Sequence, residues 1–170
     1  FVDADKAAFK NCKFLGNQDT IFAGGETSRQ LFTDCYIEGT TDFIFGPSTA
    51  VFQNCVLRAK ANSYITAAST TAGKKFGYVF LDCKIFADDA VTKVFLGRPW
   101  RAHARTVFIR TQLPAAIVPE GWNNWNNAEN EKTVFYAEYK STGQGANSSS
   151  RVPWSRQLTA SEAKEYTPEN

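Results

Sequence analysis

Apolar residues along this chain come in short runs rich in Phe, Val, Ile and Tyr, each closed by Gly, Asn, Asp or Ser. Such runs predict strands rather than helices, and no amphipathic helical period fits between them. The runs repeat. Phe9-Lys-Asn-Cys12-Lys-Phe14 is followed by Phe32-Thr-Asp-Cys35-Tyr-Ile37, Phe52-Gln-Asn-Cys55-Val-Leu57 and Phe80-Leu-Asp-Cys83-Lys-Ile85, and Phe108-Ile-Arg-Thr111-Gln-Leu113 keeps the frame without the cysteine. The starts Phe9, Phe32, Phe52, Phe80 and Phe108 lie 23, 20, 28 and 28 residues apart, a period that signals a solenoid. The leucine framework of a leucine-rich repeat is missing. The third position of the first four units is Asn11, Asp34, Asn54 or Asp82, residue types that tolerate the left-handed backbone of a sharp bend. The expected fold is therefore all-β: a right-handed parallel β-helix, with coils about 4.8 Å apart and the Phe and Cys positions stacked inward.

A second register follows the first. Asp19-Thr-Ile-Phe-Ala, Asp42-Phe-Ile-Phe-Gly, Ser63-Tyr-Ile-Thr-Ala and Lys93-Val-Phe-Leu-Gly each trail their unit's motif. Aligned in this order, Ser63 falls opposite Asp42 and Ile65 opposite Ile44. Asp19 follows Cys12, and Asp42 follows Cys35, by the same 7 residues, which stacks the two aspartates on neighbouring strands about 5 Å apart. Beyond about residue 115 the pattern loosens. Ala115 to Asn130, with Pro119, Gly121, Trp122 and Trp125, reads as a long loop packed by aromatics, and Thr133 to Tyr139 as a last strand. The Gly/Ser/Asn-rich stretch Ser141 to Ser150 reads as mobile. Thr159-Ala-Ser-Glu162 has the form of a capping box opening a short C-terminal helix through about Tyr166. One domain spans residues 1–170.

Composition narrows the function classes. The chain has 170 residues, 43% of them apolar, with 14 Phe and no Met, enough for a real core. A net charge of +2 gives no basic field for nucleic acid. No apolar run approaches the roughly 20 residues of a membrane span. One histidine, His103, and four cysteines without C-x-x-C spacing argue against a zinc site, and no cofactor or metal is expected. Phe1-Val2-Asp3 reads as the start of an excised or processed piece.

Two carboxylates one coil apart repel, so one ionises readily and the other has a raised pKa. That splits them into a nucleophile and a proton donor, although an exposed polar ladder on a solenoid face would show the same spacing. Gly16-Asn-Gln18-Asp19-Thr-Ile, Ile37 to Gly46, and Leu96-Gly-Arg98-Pro-Trp100 together resemble the signature segments of the pectin methylesterase family. The likeness runs on through Pro119-Glu-Gly-Trp122 and Tyr136-Ala-Glu-Tyr139 to Arg151-Val-Pro-Trp154. That family's fold is a right-handed parallel β-helix, in agreement with the repeat.

The resemblance implies hydrolysis of methyl esters of polygalacturonate to carboxylates and methanol through an aspartyl acyl-enzyme. Asp42 matches the nucleophile and Asp19 the general acid that then acts as base. Gln18 matches the amide that binds the oxyanion, Arg98 the guanidinium that pairs with the nucleophile, and Trp100 a sugar-stacking residue. Phe45, on the face of Asp42, is a candidate floor for the sugar site, or a core residue. Gln18 and Asp19 are adjacent, so both reach one cleft only if the chain bends between Gly16 and Asp19. The implied partner is a methyl-esterified polygalacturonan, met by a secreted or periplasmic monomer. The competing expectations are a non-catalytic pectin-binding β-helix and, lower in rank, a calcium-dependent lyase.

Other residues carry open readings. Cys35 and Cys55 share a register in adjacent coils, close enough for a disulfide or for a reduced interior stack; Cys12 and Cys83 read as buried thiols. His103 reads as a surface residue. Trp122 and Trp125 fit sugar stacking or loop packing, and Asn147-Ser-Ser149 matches a glycosylation acceptor. Relative to the family, the first coils are missing, and the Asp19 to Asp42 interval is longer than common, which predicts a longer turn at Gly24-Gly25.

Overall fold

The computed structural model describes residues 1–169. Four circuits of three strands follow one another along an axis. The first is β1 (Ala7–Lys10), β2 (Lys13–Leu15) and β3 (Ile21–Phe22); the second is β4 (Arg29–Thr33), β5 (Tyr36–Gly39) and β6 (Ile44–Gly46). The third is β7 (Thr49–Gln53), β8 (Val56–Ala59) and β9 (Tyr64–Ala68), and the fourth β10 (Tyr78–Leu81), β11 (Lys84–Ala87) and β12 (Phe95–Gly97). Then come β13 (Arg105–Ile109), β14 (Phe135–Tyr139) and β15 (Arg156–Gln157). Like strands stack into three parallel sheets, in the orders β1-β4-β7-β10-β13-β14-β15, β11-β8-β5-β2 and β12-β9-β6-β3. This is the expected right-handed parallel β-helix.

The bend residue drives the circuit. Asn11, Asp34, Asn54 and Asp82 all sit in the left-handed region, with φ of 55°, 54°, 54° and 53°, and Arg110 and Lys140 take the same place in the next two coils at 49° each. Each bend turns the chain from the first sheet to the second, so the Phe two residues before it and the Cys just after it both point inward. Phe9, Phe32, Phe52, Phe80 and Phe108 pair in register. Their rings stack near-parallel with centroids 5.0, 4.7, 4.6 and 4.3 Å apart, a spacing set by the sheet itself. Trp122, Tyr136 and Trp154 close the stack at its far end.

Cysteines form a second interior row. All four thiols are free, so Cys35 and Cys55 are not bridged. Instead Cys35 Sγ lies 3.5 Å from Phe9 O, Cys55 Sγ 3.3 Å from Phe32 O, and Cys83 Sγ 3.2 Å from Phe52 O: each thiol donates to a carbonyl of the preceding coil. Cys12, expected to be buried, is half-buried in the first described coil. Thr111 continues the row fully buried, which explains why the fifth unit dispenses with cysteine.

Four expectations need correction. In the third sheet, Ile44 pairs with Thr66 and Phe45 with Ala67, one residue beyond the expected register. The turn at Lys60 to Ser63 holds two extra residues: Tyr64 follows Cys55 by 9 positions where Asp42 follows Cys35 by 7. Thr41 and Ser63 lock this register through a 2.7 Å hydroxyl hydrogen bond, and Tyr64 rather than Ser63 comes level with Asp42. The Ala115 to Asn130 segment is not detached loop, since Ile117 and Trp122 extend the third sheet as bridges to Val94 and Gly97; it ends in a 3-10 turn over Ala128–Lys132. Ser141 to Ser150 is strapped to the fifth coil, with Leu113 N donating to Thr142 O and Gly145 N to Leu113 O. The capping box at Thr159 and Glu162 is present, but helix α1 covers only Ala160–Ala163, and Tyr166 beyond it packs on Phe76.

The turn after Gly24-Gly25 falls at Glu26 and Thr27, closed by Ser28 N donating to Gly25 O at 3.0 Å. Gly46, at φ 121°, could not carry a side chain, since a Cβ there would meet Ala23 O at 2.4 Å.

Phe52 is fully buried between two rings, so Phe52→Ala is expected to cost about 3–5 kcal/mol, read as the shift in a denaturant unfolding midpoint. Val51→Ala, half-buried on the outer face of the same strand, should cost clearly less; equal costs would show that the stack does not define the core.

Candidate active site

Two further left-handed residues lie at the corner entering the third sheet: Asp19 at φ 57° and Asp42 at φ 49°. Neither is a glycine, so each stores strain that the surrounding coil must hold. Hydrogen bonds between coils do so: Asp19 N donates to Thr41 O at 3.0 Å and Asp42 N to Tyr64 O at 2.8 Å. A turn at Gln18 followed by left-handed Asp19 supplies the bend that lets both adjacent side chains face one groove. Gln18, Asp19, Asp42, Phe45, Ala67, Arg98, Trp100 and Trp125 line one cavity of about 240 Å³.

Arg98 closes the site from two coils away. Its backbone is fixed by Arg98 N donating to Thr66 O and, two residues on, by Trp100 N donating to Ala68 O, both at 3.0 Å. From there the guanidinium reaches back to Asp42 as a fork: Nε donates to Oδ1 at 3.0 Å and Nη2 to Oδ2 at 2.7 Å. Asp42 is 6% exposed; a carboxylate this buried needs such a partner, and an arginine supplies one that does not titrate. Both faces of the guanidinium are covered. The Tyr64 ring lies 3.9 Å from Arg98 Cζ and the Trp125 ring 3.7 Å, and stacking of this kind strengthens where water is excluded.

The aspartates differ in environment. Asp42 is enclosed and paired, whereas Asp19 faces open solvent on one side. Partial desolvation, followed by the charge of Asp42, raises the Asp19 pKa above that of an ordinary aspartate, and Arg98 opposes the shift. A paired carboxylate beside one that holds its proton longer is an acid/nucleophile arrangement. On the groove floor, Phe45 packs between Phe22 at 4.9 Å and Trp100 at 5.8 Å, an aromatic row leading away from the carboxylates. The Arg101 guanidinium lies 4.7 Å from the Trp100 ring.

Every site residue expected from the sequence lies in this cavity. Tyr64 was missed, because the register placed Ser63 beside Asp42; the two extra residues after Cys55 were the signal that could have found it. Trp125, left open between sugar stacking and packing, lines the site and covers Arg98. Trp122 is 1% exposed and stacks on Tyr136 at 4.3 Å, so it belongs to the core. His103 is exposed, as expected.

Fold and groove together define a β-helix protein built around an aspartate pair under an arginine fork. The family model for pectinesterase matches residues 1–170, and the chain belongs to the pectinesterase family. It is 45% identical over 166 residues to Pectinesterase 31 of Arabidopsis thaliana, covering 97% of this chain and 52% of that relative. Among solved structures it is similar to pectin methylesterase from carrot, with a TM-score of 0.87 and 33% identity over 94% of this chain and 54% of that one. It is also similar to a pectin methylesterase in complex with hexasaccharide VII, with a TM-score of 0.82 and 34% identity over 96% of this chain and 56% of that one. The chain thus spans about half the length of these relatives.

The raised pKa makes a stability prediction. A carboxylate whose folded pKa lies above its unfolded value favours folding while protonated, and this contribution is lost as pH rises through the folded pKa. Asp19→Asn removes both the repulsion of Asp42 and the desolvation cost, so its Tm should exceed wild type near pH 7. Below the ordinary aspartate pKa the two melting temperatures should converge. A variant less stable than wild type at neutral pH would contradict the assigned strain.

Proposed function

We propose that the protein hydrolyses methyl esters of polygalacturonate, releasing methanol and leaving free carboxylates. The observation that carries this reading is the Asp42–Arg98 fork set beside Asp19 in one groove. Arg98 pairs with both Asp42 oxygens and aims them. Asp42 attacks the ester carbonyl, and the Gln18 amide donates to the oxyanion of the tetrahedral intermediate. The intermediate collapses as Asp19 protonates the departing methoxide, giving methanol and a mixed anhydride on Asp42. Asp19, now a carboxylate, takes a proton from water as that water attacks the anhydride. The galacturonate leaves with a free carboxyl group, Asp42 is restored as a carboxylate, and Asp19 again holds its proton. Each step is served by a group of this chain.

Phe45 and Trp100 supply apolar faces for sugar rings on the groove floor. The similar pectin methylesterase solved in complex with a hexasaccharide supports a polymeric saccharide substrate. A polymer of this kind is met outside the cytoplasm, so the reading makes the protein an extracellular one. Among the described residues no helix is long and apolar enough to cross a membrane.

Methanol release from methyl-esterified pectin by the full-length protein tests the reading. Asp42→Asn should lower kcat by at least about 10³-fold while the circular dichroism spectrum stays that of wild type. Near-wild-type turnover in that variant would remove Asp42 from the nucleophile's role, and pectin binding without methanol release by the unmutated protein would favour a binding module. Ultraviolet-absorbing unsaturated products that depend on added calcium would instead identify a lyase.

Arg98→Lys is expected to lower kcat about 10²-fold or more, because a point charge cannot occupy both Asp42 oxygens or fill the space between Tyr64 and Trp125. Kinetics unchanged by this substitution would show that the fork does not matter to turnover.

A further inference from the structure

Glu138 breaks the pattern of the interior. In the register of the first sheet it stands opposite Phe108, on the rung that phenylalanine occupies in the five preceding coils, and it is 2% exposed. Arg151 meets it there as a second fork, with Nε donating to Oε2 at 2.7 Å and Nη2 to Oε1 at 3.2 Å; the side chains are 4% and 2% exposed. This pair is more deeply buried than the Arg98–Asp42 pair and takes no part in the chemistry. A buried ion pair adds little stability over apolar residues of similar volume, so its presence on an otherwise aromatic ladder calls for another reason.

The remaining donors of Arg151 show one. Nη1 donates to Val118 O at 3.3 Å and Pro119 O at 3.1 Å, and Nη2 to Gly145 O at 2.6 Å. Val118 and Pro119 open the segment that carries Trp125. From this anchor Gly121 N closes a turn onto Val118 O at 3.0 Å, Leu96 N reaches Gly121 O at 2.8 Å, and Asn123 N reaches Gly97 O at 3.1 Å. Trp125 N then meets Asn123 Oδ1 at 2.7 Å. Trp125 and Asn126 are both left-handed, at φ 60° and 53°, a strained pair that needs outside support. Gly121 is left-handed too, and a Cβ on it would meet Arg151 Cδ at 2.5 Å, so arginine and turn are packed without slack.

We infer that Arg151, held by Glu138, is a positioning residue for the active site: it fixes the Val118 to Trp125 segment so that the Trp125 ring stays over the Arg98 guanidinium. Arg151 touches neither the aspartates nor the groove. It acts through Trp125, and Trp125 through the fork on Asp42. This role rests on the proposed esterase reading, but its geometry can be read without turnover.

Two variants of the full-length protein test it. Glu138→Leu with Arg151→Met removes both charges together and leaves neither stranded, whereas Arg151→Lys keeps both charges but cannot hold the Val118, Pro119 and Gly145 carbonyls together. Each is expected to speed amide hydrogen exchange at Asn123 and Trp125 while the Phe52 and Phe80 amides keep their protection. Each should also lower kcat/KM for methanol release about tenfold. In a Trp125→Ala background neither should lower it by more than about twofold, since the residue through which they act is gone. Unchanged protection at Asn123 and Trp125 in the variants, or losses that multiply in the Trp125→Ala background, would overturn the inference. If the double variant does not fold, Arg151→Lys decides alone. If the wild type releases no methanol, the esterase reading fails and the exchange measurement still decides the positioning role.

Discussion

Everything in this molecule depends on coils stacking in register at the spacing of a parallel sheet. The main-chain hydrogen bonds fix that spacing, and the Phe9 to Phe108 rings meet face to face because the backbone leaves them no other separation. The same constraint sets the chemistry. Two aspartates at equal offsets from consecutive cysteines must come to lie one coil apart, and an arginine two coils on must reach back across the intervening strand. The spacings of Asp19, Asp42 and Arg98 are thus sheet spacings, inherited from the scaffold.

How far the sequence could be read follows from this periodicity. The bend residues Asn11, Asp34, Asn54 and Asp82, the inward Phe and Cys rows and the Asp19–Asp42 neighbourhood were all legible, because a repeat carries its own geometry from unit to unit. Gln18, Arg98 and Trp100 were placed by resemblance and Phe45 by its register after Asp42, and the structure brings them to one cavity. What failed was the count of residues in turns. Two extra residues after Cys55 slid the third sheet by one position and exchanged Ser63 for Tyr64 beside Asp42. After residue 115 the last strand and the Thr159 capping box were legible, but the connections between them and the preceding coils were not, for a related reason. Their bonds run to other coils, from Leu96 to Gly121 and from Leu113 to Thr142, and a non-local bond leaves no local signature.

The two buried forks divide the labour of holding charge in an apolar solenoid. Arg98 and Asp42 sit at the groove, partly open, where the ion pair preserves a reactive carboxylate. Arg151 and Glu138 sit inside the far end, where a pair closed off from solvent gathers carbonyls from two separate segments. Between them stand Trp122, fixed in the ring stack, and Trp125, released by two left-handed residues to turn outward over Arg98. Their Gly-Trp-Asn-Asn-Trp neighbourhood serves both core and site.

The arginine clamped between Tyr64 and Trp125 also bears on when this site can exist. Its components come from all four circuits and from the segment after β13, with Asp42 and Arg98 separated by 56 positions. A chain emerging from the ribosome amino end first lays down Asp42 before its counter-charge, which arrives only once β12 is complete, and before the outer ring, which comes later still. Competence at Asp42 is therefore a late event of synthesis, reached only after most of the solenoid has closed around it.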